Sequence, residues 1–82
     1  MKVFLSRKAK KTLDDSFGEL RNRLEATISE LNDTPYPPGC KKLRGAQNAY
    51  RLRVGDYRIL YTVLNREEIL VFKISPRESA YE

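Results

Sequence analysis

The sequence predicts an α+β domain of order βααβββ: an N-terminal strand and a helical hairpin packed on one face of a mainly antiparallel, twisted sheet. Three observations predict it. Apolar residues recur at three- and four-residue steps from Phe17 to Leu31. From residue 49 onward they recur at every second position. Pro35, Pro37, Pro38 and Gly39 separate the two regimes. A helical period followed by a strand period puts helices on one side of an antiparallel sheet and leaves the other side uncovered. The 82 residues suffice for one domain spanning 1–82, a single helical layer on a single sheet.

Lys2-Val3-Phe4-Leu5 reads as a short strand. Ser6 is placed to cap a following helix with Ala9 and Leu13 on one side. Ser16-Phe17-Gly18-Glu19 matches a capping box for a second helix, whose stripe is Phe17, Leu20, Leu24, Ile28 and Leu31. Residues 6–32 therefore form a helical hairpin with a break near Asp15–Ser16. The prolines stop it, and 33–48 is a long connection. Strands of roughly 49–54, 57–64 and 68–75 follow, joined by tight turns. Where the first strand joins the sheet stays open.

Gly55-Asp56 between two alternating runs is a two-residue hairpin turn. In that register Val54 faces Tyr57, Arg53 faces Arg58, Leu52 faces Ile59 and Arg51 faces Leu60. Tyr50, Leu52, Val54, Tyr57, Ile59, Tyr61 and Val63 share the face that the helices cover. Arg51, Arg53, Arg58, Leu60 and Thr62 share the other. With a turn at Arg66-Glu67, Leu70 faces Val63, Phe72 faces Tyr61 and Ile74 faces Ile59, and Lys73 joins the arginines. Like charges directly opposite each other destabilise a sheet. Folding does not ask for this cluster, whereas a polyanion would relieve it, because guanidinium forks match phosphate oxygens.

The net charge of +5 is local. Residues 1–38 carry seven basic and six acidic side chains, while 39–63 carry six basic ones and only Asp56. That is the distribution of a binding footprint for an anionic partner. One cysteine, Cys40, excludes an internal disulfide and fits a reducing compartment; it reads as a small packing residue. With no histidine, zinc sites and the usual catalytic triads are excluded, and no metal or cofactor is expected. No apolar run approaches the ~20 residues of a membrane span, and the first residues lack the apolar length of a signal peptide. A cytoplasmic protein with no membrane partner is the expectation.

"KKLRG", "YRLRVGDYRILYTV" and "ILVFKISPRESAY" resemble the RelE/ParE superfamily of toxins from type II toxin–antitoxin pairs. The likeness spans nearly the whole chain. It implies the fold above, a cognate antitoxin as partner, and one of two activities. Endonuclease members cut mRNA in the ribosomal A site, the 2′-hydroxyl attacking the adjacent phosphodiester to leave a 2′,3′-cyclic phosphate and a 5′-hydroxyl. Other members poison DNA gyrase by protein binding. A catalytically weak binding module of the same fold is a further alternative.

For the endonuclease, the resemblance assigns the catalytic face to Arg51, Arg53 and Arg58, with Arg77 and Tyr81 in "PRESAY" completing it. Arg58 and Arg77 suit the phosphoryl oxygens, Arg51 and Arg53 the backbone or leaving group, and Tyr81 stacking on a base. Lysines common on the first basic strand of family members are arginines here, which cannot act as general bases. Electrostatic stabilisation is what remains. Lys41, Lys42, Arg44 and Lys73 are placed to grip RNA and ribosomal phosphates. Tyr36 reads as a loop anchor, Tyr50, Tyr57 and Tyr61 as core, and Glu67 and Glu68 as turn residues. Glu78 is the acid beside Arg77.

Overall fold

Ser6 closes the first strand and opens the first helix. Its Oγ accepts the Ala9 N–H at 3.0 Å, the capping bond expected of it, and donates to the Phe72 carbonyl at 3.0 Å. One hydroxyl thus caps the helix and ties it to the last strand. The structure, a computed structural model, describes residues 1–76. It runs β1 (Lys2–Leu5), α1 (Arg7–Asp15), α2 (Gly18–Glu30), β2 (Lys41–Lys42), β3 (Ala49–Val54), β4 (Tyr57–Val63) and β5 (Glu68–Pro76). The strands form one sheet in the order β1-β5-β4-β3-β2. β1 lies at the edge, parallel to β5, and the other neighbours are antiparallel.

Ala9, Leu13, Leu24 and Leu31 from the helical layer meet Leu52, Val54, Ile59, Tyr61, Ile69, Val71 and Ile74 from the sheet, all buried. Burying each large aliphatic side chain stabilises the fold by about 1.5–3 kcal/mol. The outer faces of the helices carry exposed i,i+4 pairs, Lys10–Asp14, Lys11–Asp15 and Arg21–Glu25. Such pairs contribute only a few tenths of a kcal/mol each.

Three expectations are corrected. The capping box does not form. Ser16 is buried, and its Oγ donates to the Thr12 carbonyl at 2.8 Å, closing α1 instead of opening α2. Phe17 becomes the N-cap of α2 with no side-chain cap bond, and at 83% exposure it leaves the apolar stripe. The chain reverses there through Gly18 at φ 68°, a conformation glycine tolerates.

Second, the connection 33–48 contains a strand. Lys41 and Lys42 pair with Arg51 and Tyr50, extending the sheet by β2. The chain returns through Asn48 at φ 59°, whose carbonyl accepts from the Val63 N–H and the Thr62 hydroxyl. Leu43 is thereby folded over the sheet, its N–H bonded to the Ala49 carbonyl at 2.8 Å.

Third, β5 carries a bulge. Ile74 faces Ile59 as expected, but Leu60 faces Lys73 while Tyr61 faces Val71, so Phe72 is the extra residue. One inserted residue flips everything before it to the opposite face. Ile69 and Val71, not Leu70 and Phe72, enter the main core. Phe72 joins Leu43, Ala46, Ala49 and Leu60 in a small apolar cluster on the far side of the sheet. That side is therefore not uncovered throughout: one corner is apolar and closed.

Candidate functional site

The β3–β4 hairpin sets the geometry. Its turn requires positive φ at Gly55, which has φ 60°. An added Cβ there would also lie 3.2 Å from the Arg23 guanidinium, which leans on the turn from α2. All six β3–β4 pairs follow the expected register. On the face opposite the helices, side chains line up in two rows across the strands. The first is Lys41–Arg51–Leu60–Lys73, from β2 to β5. The second is Arg53–Arg58–Ser75.

Each row places like charges side by side, Lys41 with Arg51 and Arg53 with Arg58. The depths differ. Lys41 and Arg53 are exposed, Arg51 and Lys73 are half-buried, and Arg58 is only 7% exposed. The expectation of three arginines gathered on an open surface is corrected here. The face is as expected, but Arg58 sits on a central strand between β3 and β5 and lies inside it. Leu60, between Arg51 and Lys73, is fully buried.

The lysine pair of β2 divides. Lys41 faces the arginines, whereas Lys42 pairs with Tyr50 and belongs to the other face, near Tyr36. Arg44 follows on the exposed turn after β2. Two shallow clefts adjoin along this edge. One, of about 340 Å³, is lined by Lys41, Lys42, Leu43, Arg44 and Arg51. The other, of about 330 Å³, is lined by Pro38, Gly39, Lys41, Arg51, Leu52 and Arg53. They share Lys41 and Arg51, so the structure brings together most of the cations singled out in the sequence. Arg77 and Tyr81 lie outside the described residues.

The tyrosines form a column on the helix side. Tyr36 stands edge-on to Tyr50 at 5.2 Å, and Tyr50 stacks on Tyr61 at 5.7 Å. The Tyr61 hydroxyl donates to the Pro35 carbonyl at 2.7 Å, anchoring the proline loop. Burial, with Cys40 beside it, pushes the Tyr61 phenol far above its ordinary pKa. The Tyr36 phenol is also raised, first by its hydrogen bond with Tyr50. Neither phenol supplies a base at neutral pH, which suits packing roles. Among the described residues no cluster of carboxylates and thiols could hold a metal ion, and no helix is long and apolar enough to cross a membrane.

Two residues were not singled out in the sequence. Arg23 comes to the β3–β4 turn only through tertiary packing of α2. Ser75 was legible in principle, because it alternates with Lys73 on the same strand face.

A family model described as ParE toxin of type II toxin-antitoxin system, parDE, matches residues 3–81. Toxin RelE3 of Methanocaldococcus jannaschii is 35% identical over 88 residues, covering 100% of this chain and 97% of that protein. Putative toxin RelE1 of the same organism is 32% identical, covering 98% and 93%. The archaeal RelE–RelB complex from Pyrococcus horikoshii superposes with a TM-score of 0.80 at 28% identity, covering 96% of this chain and 97% of the matched one.

Proposed function

This chain belongs to the RelE/ParE family of type II toxin–antitoxin toxins, and from that premise we propose that it is a ribosome-dependent mRNA endonuclease restrained by a cognate antitoxin. The observation that carries the reading is the pair of cationic rows on the face opposite the helices. Cations gathered on one face of a sheet in this way suit RNA phosphates.

In this reading the 2′-hydroxyl gives its proton to solvent as it attacks the adjacent phosphorus, and the bond to the 5′-oxygen breaks, that oxygen taking a proton from solvent to leave as a hydroxyl. Negative charge grows on the phosphoryl oxygens and the leaving oxygen. Arg58, withdrawn from water, stabilises that charge more strongly than an exposed cation can. Arg53, at the solvent end of its row, receives the phosphodiester, and Arg51 holds the neighbouring backbone. Arg77 adds a second guanidinium, and Tyr81 stacks on a base. Lys41, Lys42, Arg44 and Lys73 hold ribosomal RNA and message phosphates by charge. The chemistry is positional and electrostatic, and a ribosomal substrate calls for a cytoplasmic protein. The antitoxin is proposed from the relatives, among them a toxin crystallised with RelB.

Mapping mRNA 5′ ends after expression tests the reading. Cuts within translated codons, lost on Arg58→Ala or Tyr81→Phe, are expected. Intact message accompanied by DNA-damage signalling supports the second reading, a gyrase-directed toxin. The match to a ParE family model and the arginines standing in place of lysines favour that second reading.

A further inference from the structure

Ser75 lies on β5 directly across from Arg58, at the inner end of the row that begins with Arg53. It is 6% exposed, and its Oγ has no hydrogen-bond partner among the described residues. The hydroxyls of Ser6, Ser16 and Tyr61 each have one. A buried hydroxyl without a partner loses its bonds to water and gains nothing in return. Alanine would fill nearly the same space without that penalty. A serine here is therefore unexplained by packing, and it stands beside a buried guanidinium.

We propose that the Ser75 hydroxyl donates a hydrogen bond to a non-bridging phosphoryl oxygen of an RNA phosphodiester seated between Arg53 and Arg58. The proposal rests on the ribonuclease reading and adds a residue to its site. The row grades from water to interior: Arg53 exposed, then Arg58 and Ser75 buried. Cross-strand neighbours stand about 5 Å apart, so Arg53 and Ser75 flank Arg58 on either side along one face of the sheet. Arg58 brings charge and a planar fork. Ser75 brings a neutral donor that adds no further repulsion to a row already holding two cations. A hydroxyl held ready in a water-poor place is most effective where charge develops during reaction.

The test compares the full chain with Ser75→Ala and Ser75→Thr. Melting is followed without added anion, with inorganic phosphate, and with acetate at matched ionic strength; cutting is followed on translating ribosomes. Ser75→Ala is expected to raise Tm by about 4 °C or more, because an unsatisfied group is removed. It is also expected to lose most of the phosphate-induced rise and to cut about tenfold more slowly or worse. Ser75→Thr keeps the phosphate response. A fall in Tm for Ser75→Ala, or an undiminished phosphate response, overturns the proposal. So does an equal response to acetate, which would mark a carboxylate subsite for a protein partner. If the wild type cuts no message but Ser75→Ala still abolishes the phosphate response, the anion site stands and the ribonuclease reading fails.

Discussion

The two faces of the sheet share the same strands and obey different rules. On the helix side, apolar residues meet apolar residues, and the Tyr61 hydroxyl is bonded to a carbonyl. On the opposite side, Lys41 faces Arg51, Arg53 faces Arg58, and the buried Ser75 hydroxyl has no partner among the described residues. Among the described residues, the corner around Leu43, Leu60 and Phe72 on that side is packed as a core. The difference separates what holds the fold together from what the fold presents. One face can be explained by its own contacts. The other carries the cations that the proposed function uses.

The contrast can be broken most severely from the helix side. Leu24 is fully buried beneath α2, and Leu24→Ala should cost about 2–5 kcal/mol by cavity formation, read as a fall in urea midpoint. Toxicity should be lost with the fold rather than at constant fold. A smaller loss, about 1 kcal/mol, is expected of Gly55→Ala, because a side chain at φ 60° is strained and its Cβ meets Arg23. A normal melt for that variant would show that the turn tolerates another backbone conformation.

The same turn marks what was legible in the sequence. Gly55-Asp56 fixes the hairpin register, so every β3–β4 pair and all three arginine positions on it could be read in advance. The bulge in β5 could not. Ile69-Leu70-Val71-Phe72 is apolar in both phases of a strand, so alternation has no contrast to read, and only packing decides which pair turns inward. β2 was hidden for a related reason: two lysines carry no apolar period. The failed capping box shows two acceptor choices in competition, since the Ser16 hydroxyl bonds backward to Thr12 rather than forward into α2. The depth of Arg58 follows from strand order, and periodicity assigns a face without assigning a depth.

On the cationic face the expected signs invert. Arg53→Thr removes one partner of a like-charge pair and inserts a good strand former, so it should stabilise the protein by a few tenths of a kcal/mol. It should weaken ribosome binding at the same time. A variant that is both less stable and equally tight-binding would place Arg53 among the structural residues. The smallest expected effect is at the sheet edge. Lys41→Gln should lower the slope of log affinity against log salt by about 0.7, the contribution of one phosphate on a single strand. An unchanged slope would remove Lys41 from the RNA contact.

The central claim is tested most directly by the cutting rate of Arg58→Ala on translating ribosomes, measured on protein whose circular dichroism matches the wild type. A drop of about 100-fold or more, with the fold intact, is the result expected when one preorganised charge is withdrawn from a reacting phosphate. Undiminished cutting by the folded variant would contradict it.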